Sequence, residues 1–418
     1  MSRPSRLSRL LAAGVCALCA LAAAPAAWGL ARPPSLSARA AILVERSTGQ
    51  VLFARNAFQE LPIASTTKLM TALLVLEHAR LSSIFTEPVY YPAPVDSQIG
   101  LRPGERMSVH DLMLALLLPS ADDAAQDLAY NVGHRSVGRF IGMMDARARQ
   151  LGLAHTHYST PIGLDTPGNY STAADLVKLA SFLRIHHPFF AHAVALPAAL
   201  LRTGDYRRFV TNRNTLVGRV PWINGVKTGH TGAAGYVLVG SGTQGGVTML
   251  SAVLGTPSEA ARNADTLAVL KYGFANFRIA RPVLAGAVLA RPTVKDRPGV
   301  RADVIAGGSF VRVLARSIHV STRVVVVAHQ LAGPLKRHAV VGSVVVLADG
   351  RRIARIPLLL ARALPAVSPL TIAARFIVRP FTLLALALLL GGGAGAIAAR
   401  RRRRHTGKPP ESHAEVAQ

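Results

Sequence analysis

The sequence predicts an α/β (α+β) unit, then a small all-β module, then a C-terminal membrane helix. Three observations carry this. Residues 38–278 alternate helix-like and strand-like segments, residues 279–365 break into short valine-rich runs, and residues 380–399 contain no charge. A chain of 418 residues has room for two folded units.

In chain order, Arg3, Arg6 and Arg9 precede an apolar stretch, and small residues at Ala24-Pro25-Ala26 or Gly29-Leu30-Ala31 offer cleavage sites. Residues 1–31 therefore read as a secretory signal peptide, absent from the mature protein. Both cysteines, Cys16 and Cys19, fall inside it. The exported chain would then carry no thiol into an oxidising compartment.

The first folded unit is expected over residues 32–278. Ala40-Ala41-Ile42-Leu43-Val44 and Gln50-Val51-Leu52-Phe53 flank a turn at Ser47-Thr48-Gly49 and predict a hairpin. After Lys68, Leu69-Met70-Thr71-Ala72-Leu73-Leu74-Val75-Leu76 is apolar nearly all round, as a buried helix is. Val237-Leu238-Val239-Gly240 and the apolar run that starts at Val247 predict strands around Gly245-Gly246. A mixed sheet with an inserted helical subdomain accommodates these pieces. Thr172 and Asp175 form a capping box, a structural feature.

Residues 279–365 predict a β-rich second domain. Its runs are Ser309-Phe310-Val311-Arg312-Val313-Leu314, Arg323-Val324-Val325-Val326-Val327 and Gly342-Ser343-Val344-Val345-Val346-Leu347, the last closed by a turn at Ala348-Asp349-Gly350. Residues 366–379 form a linker. The uncharged stretch 380–399 is long enough to span a bilayer core, and the five arginines 400–404 open a basic tail, 400–418. Positive flanks stay cytoplasmic, so everything before the helix would lie outside. An interfacial anchor is the alternative, because Gly391, Gly392, Gly393 and Gly395 weaken the helix.

The net charge of +27 raises nucleic acid as a partner. Lysine and arginine number 23 against 16 acidic residues over 32–278, but 22 against 5 over 279–418. The excess sits beside the predicted membrane segment. Anionic headgroups or wall polymers account for it without nucleic acid.

Three short motifs carry the chemistry: Ser65-Thr66-Thr67-Lys68, Ser120-Ala121-Asp122 and Lys227-Thr228-Gly229. Only seven lysines occur in the chain, and two fall in these motifs. Three residues is about one helical turn, so Lys68 can reach the Ser65 hydroxyl. A serine is a poor nucleophile until a base takes its proton, and a lysine can do so once burial or nearby cations lower its pKa. Taken singly, Ser65 and Ser120 read as helix caps, Lys227-Thr228-Gly229 as a turn and Arg262 as a solvated charge. The ordered set favours a serine acyl-transfer site. His155, His157, His186 and His187 lack metal-site spacing, and neither metal nor cofactor is expected.

These motifs resemble the low-molecular-mass penicillin-binding proteins of the D-alanyl-D-alanine carboxypeptidase type. The likeness extends to Leu118-Pro119 before the second motif and to Pro161-Ile162-Gly163-Leu164-Asp165. It continues through Gly225-Val226 before the third motif, His230-Thr231 after it, Ala234-Gly235-Tyr236, and the stretch from Leu254-Gly255 through Arg262 to Gly273-Phe274. The resemblance implies the penicillin-binding/β-lactamase-like transpeptidase fold. It also implies a membrane-anchored enzyme on the outer face that trims peptidoglycan stem peptides and is acylated by β-lactams. On that resemblance Ser65 is the nucleophile, Lys68 its base and Ser120 a proton relay. Asp122, Lys227, Thr228, Gly229, His230 and Arg262 line the substrate, with the backbone N–H groups of Ser65 and His230 as oxyanion hole.

One position departs from the pattern. The family usually has asparagine at Asp122, and an ionised carboxylate cannot donate as an amide does. That departure motivates a weakly active, penicillin-binding scaffold as a rival reading. A β-lactamase is a second rival, disfavoured because no glutamate stands between the second and third motifs to activate a deacylating water.

Overall fold

The computed structural model describes residues 32–90, 93, 95–369, 373 and 380–405. The predicted signal peptide and the tail beyond residue 405 lie outside them, and the linker is described only at 366–369 and 373. By contacts the chain divides into two units. The first runs to Ala280 and includes Val311–His319, and the second holds Arg281–Phe310 and everything from Val320 onward.

The first unit is built on a five-stranded sheet, in the order Val51–Arg55, Ala40–Glu45, Val247–Thr256, Gly235–Gln244, Ile223–Thr231. All four pairings are antiparallel, where the sequence suggested mixed pairing. The reason is local: the last three strands follow one another through turns too short for a parallel crossover.

Period-two alternation sorts the sheet's side chains between two cores. Ile42, Val44, Val237 and Val239 face the helical subdomain, whereas Ala41, Leu43, Leu238 and Met249 pack with Val269, Leu270 and Phe274 of the helix Glu259–Asn276. With both faces covered, Ala40–Glu45 is buried throughout. Burying its apolar side chains stabilises the fold by about 1.5–3 kcal/mol for each large one.

The helical subdomain lies between the first and third motifs. Its central helix, Lys68–His78, is buried from Lys68 to Val75. Val109–Leu117 starts on Ser108, whose hydroxyl accepts from the Asp111 N–H, and Asp122–Val132 opens with two aspartates on its positive end. Thr172 caps Ala173–His186 by accepting from the Asp175 N–H at 3.1 Å. The Asp175 carboxylate turns instead to the His155 N–H and the Thr156 hydroxyl, so only half of the capping box forms. Among the histidines, His155 Nδ1 is 3.1 Å from Glu60, and His186 packs on Phe182.

Among the described residues the second unit is built mainly of β-strands, followed by a terminal helix. Its main sheet orders Val288–Ala290, Val304–Ala306, Arg351–Leu360, Val340–Ala348 and Val320–Val326, over a core that includes Val304, Phe310, Val344, Val346 and Leu358. Asp349 and Gly350 both take positive φ in the tight hairpin turn read from the sequence. Val311–His319, which the sequence placed here, groups with the first unit. The Val313 N–H and C=O both bond the Gln50 amide, and Arg316 Nε donates to the Phe274 carbonyl at 3.0 Å.

The terminal helix runs Pro380–His405. It carries the one stretch among the described residues that is long and apolar enough to cross a membrane, Leu383–Arg402.

Candidate active site

The nucleophile stands just before its helix rather than inside it. Ser65 lies on a 3₁₀ turn, Ala64–Thr67, and Lys68 opens the α-helix that follows. Ala64 enters this turn at φ 47°, and Ser120, in the connection between Val109–Leu117 and Asp122–Val132, sits at φ 68°. Left-handed backbone at residues other than glycine is strained, and it places both hydroxyls where a relaxed chain would not.

Two glycines permit the close packing behind the nucleophile. A Cβ on Gly229 would meet Ala64 Cβ and the Ser65 nitrogen at 2.9 Å, so the strand Ile223–Thr231 can pass this near only without a side chain there. Gly163, at φ +93°, would put a Cβ 2.1 Å from the Ala64 carbonyl oxygen. Its segment is also held from below, where Thr71 Oγ1 donates to the Pro161 carbonyl at 2.7 Å. Asp165 accepts from the Thr231 hydroxyl and the Ala233 N–H, joining this loop to the end of the strand.

Two lysine–serine pairs form the floor. Lys68 Nζ lies 3.0 Å from Ser65 Oγ and Lys227 Nζ 2.8 Å from Ser120 Oγ. Lys68 also donates to Asp122 Oδ1 and, at 2.7 Å, to the Ile162 carbonyl, while Lys227 has the Thr228 carbonyl at 3.1 Å. Both lysines are almost wholly excluded from solvent.

Burial pushes the Lys68 amine below the usual lysine range, and the Asp122 charge opposes the push. Lys227 is driven well below that range. Burial is again the main cause, and the nearby charges of Lys68 and Arg213 add to it.

Above this floor opens a cleft of about 530 Å³, lined by Ser65, Ser120, Thr228, Gly229, His230 and Arg262 among others. Arg262 reaches it from the helix Glu259–Asn276, with Nη2 on Glu259 Oε1 at 2.9 Å and on Asn263 Oδ1 at 3.0 Å. Its burial lowers the guanidinium below the usual range, against the pull of Glu259. Every site residue named from the sequence is thus on the cleft or directly beneath it. Asp122 is the one whose two oxygens are both engaged inside the protein, by Lys68 and by the Ser97 N–H at 2.9 Å.

Among the lining residues that sequence reasoning did not assign to the site are Ser97, Arg213, Tyr236 and Glu259. Tyr236 stacks on His230 with ring centroids 3.9 Å apart, which steadies the exposed imidazole at the rim. Arg213 is an exposed cation close enough to act on both buried lysines. Its only signal was its place in the polar run Asn212-Arg213-Asn214 ahead of the third motif.

Comparison with known proteins agrees with this geometry. A family profile described as D-alanyl-D-alanine carboxypeptidase matches residues 29–258. The D-alanyl-D-alanine carboxypeptidase DacC of Escherichia coli (strain K12) is 33% identical over 381 residues, 86% of this chain and 92% of the relative. DacF of Bacillus subtilis (strain 168), a D-alanyl-D-alanine carboxypeptidase, is 31% identical over 245 residues, 57% of this chain and 63% of the relative. Among solved structures, penicillin binding protein 5 from Haemophilus influenzae superimposes with a TM-score of 0.63 at 26% identity, over 80% of this chain and 99% of that one. The chain belongs to the D-alanyl-D-alanine carboxypeptidase family of serine peptidases.

Proposed function

We propose that the two lysine–serine pairs carry the D-Ala-D-Ala carboxypeptidase reaction, and that its substrate is the stem peptide of peptidoglycan. The observation behind this reading is that each serine hydroxyl has its own buried amine within 3.0 Å. Ser65 Oγ attacks the carbonyl of the penultimate D-alanine and gives its proton to Lys68. The backbone N–H groups of Ser65 and His230 receive the oxyanion. The C–N bond then breaks as Ser120 passes a proton to the departing D-alanine amine. Water cleaves the resulting ester and frees Ser65.

Lys227, the Thr228 hydroxyl and Arg262 bind the terminal carboxylate, and Gly229 lets the substrate lie close to the strand. A carboxylate entering here meets the Lys227 amine, which has no carboxylate bonded to it, and the Arg262 guanidinium, whose anionic partner is the half-exposed Glu259. β-Lactams acylate Ser65 by the same attack. No metal or cofactor takes part in this scheme.

Residues 1–31 direct export and are removed. The terminal helix spans the membrane, with the catalytic unit on the outer face and the arginines 400–404 among anionic headgroups inside. At 1.5 Å per residue, the 20-residue stretch Leu383–Arg402 covers about 30 Å. Deleting residues 379–418 should release active protein from membranes. Retention after a high-salt wash would place the anchor elsewhere.

The chemistry is tested with Ser65→Ala, which removes only a hydroxyl. The variant should fold, release no D-alanine from a D-Ala-D-Ala peptide and gain no penicillin mass by intact-protein mass spectrometry. A penicillin adduct on the variant would assign the nucleophile elsewhere.

A further inference from the structure

Asp122 stands where the family usually has an amide, and its surroundings suit an anion. Oδ1 accepts from Lys68 Nζ and Oδ2 from the Ser97 N–H at 2.9 Å, while the Asp122 N–H donates to the Ser97 carbonyl at 2.6 Å. An asparagine that kept its oxygen on Lys68 would turn an NH₂ towards the Ser97 N–H, donor against donor. Neither oxygen can be a hydroxyl in this arrangement without losing one of the two bonds.

The next residue extends the device. Asp123 Oδ2 accepts from the N–H groups of Ile99, Gly100 and Leu101, at 2.9–3.1 Å. Two adjacent carboxylates at a helix N-terminus thus hold the segment 97–101, whose Ser97 borders the cleft.

Asp122 also decides which way the base points. A neutral lysine amine has two N–H bonds and one lone pair. The Ile162 carbonyl and the Asp122 carboxylate can only accept, so they take the two N–H bonds, and the lone pair is left facing Ser65 Oγ.

We propose that Asp122 is a positioning residue acting as an ionised carboxylate: one oxygen aims and charges the Lys68 amine, and the other pins the loop at the cleft's edge. One carboxylate thus serves both the base and the loop, and through its charge acylation needs a higher pH than an amide at this position would demand. The charged groups acting on Lys68 are Asp122 and Asp96, which hold its proton, and Arg213 and Lys227, which oppose it; burial opposes it most. Removing the Asp122 charge lowers the pH at which the amine becomes free.

The inference rests on the role proposed for Lys68. It is tested by stopped-flow acylation of the full chain in detergent with a chromogenic cephalosporin, across neutral to alkaline pH, beside amide hydrogen exchange. Asp122→Asn should move the acylation midpoint down by about one pH unit or more and speed exchange at Ser97. Asp122→Glu keeps the charge and should keep the midpoint, even at a reduced rate. Asp123→Asn should speed exchange over residues 99–101 and move the midpoint much less than Asp122→Asn, since it is Asp122 that bonds Lys68 Nζ.

Superimposable profiles for wild type and Asp122→Asn would overturn the proposal. So would an equal displacement in Asp123→Asn, because loop order rather than charge would then set the base. An inert Ser65→Ala beside an unmoved Asp122→Asn profile sinks this inference alone, whereas a labelled Ser65→Ala sinks the reading beneath it.

Discussion

The two lysine–serine pairs use the same residues at nearly the same distance and burial, yet they are electrostatically unlike. Beside its serine hydroxyl each amine has a carbonyl, but Lys68 alone has a carboxylate bonded to it, while cations outweigh the distant Asp122 around Lys227. Burial drives both amines towards the neutral form. At Lys68 an anion resists that drive, and at Lys227 neighbouring cations reinforce it. The distance from a serine therefore does not define a lysine's task. What shares the pocket with it does. The Lys68 pair has a carboxylate bonded to its amine, whereas Asp122 acts on Lys227 only from a distance and no carboxylate is bonded there until a substrate's arrives.

Removing each amine should break this symmetry in two observables. Lys68→Ala should slow acylation by about 10³-fold, the usual reach of a lost general base. It should also destabilise the fold by about 3 kcal/mol, because Asp122 is left as a buried, unpaired charge. Lys227→Ala should cost about 10²-fold in kcat/KM through lost carboxylate binding, with a smaller loss of melting temperature than Lys68→Ala, since no carboxylate is bonded to it. Thermal unfolding measured beside acylation checks both. Equal losses of stability would mean that Lys227 has a partner as strong as Asp122.

A smaller effect is expected where the pairs meet. Gly229→Ala puts a methyl group against Ala64 and Ser65 and should push the strand carrying Lys227 off the nucleophile turn. We expect a loss of about 10-fold in kcat/KM, from misplacement rather than altered chemistry. An acylation pH midpoint that stays at its wild-type value would confirm that origin. A displaced midpoint would show that the strand's position also sets the lysine charges.

How much of this was legible in the sequence follows from where each partner comes from. Ser65 and Lys68 are one turn apart, so their meeting is a matter of local geometry. Lys227 and Ser120 are 107 positions apart, and only the ordered motifs pointed to their encounter. The strands around Gly245-Gly246 and the hairpin at Asp349-Gly350 were readable because turn residues and alternation act locally.

Val311–His319 reads as one more valine-rich strand of the second domain. Its grouping with the first unit depends on backbone bonds to Gln50 and on Arg316 meeting Phe274, which no periodicity encodes. Asp123 was unreadable for a related reason. Its partners are backbone N–H groups of Ile99, Gly100 and Leu101, and backbone donors leave no trace in side-chain identity. Asp122 was visible only as a departure from pattern, and Ser97 explains how the pocket accommodates it.

The contrast between the two amines is tested most directly by titrating them side by side. With ¹⁵N-labelled lysine, the seven Nζ signals of the full chain can be followed through pH, and Lys68→Arg and Lys227→Arg identify the two that matter. Depressed lysine pKa values mean that the proton leaves as pH rises, at a lower pH where the depression is larger. The account predicts that Lys227 becomes neutral at a lower pH than Lys68, and that a bound carboxylate analogue moves Lys227 upward more than Lys68. If Lys68 lost its proton first, or if the two titrated together, the different surroundings of the two pairs would not govern their charge, and the account would be contradicted.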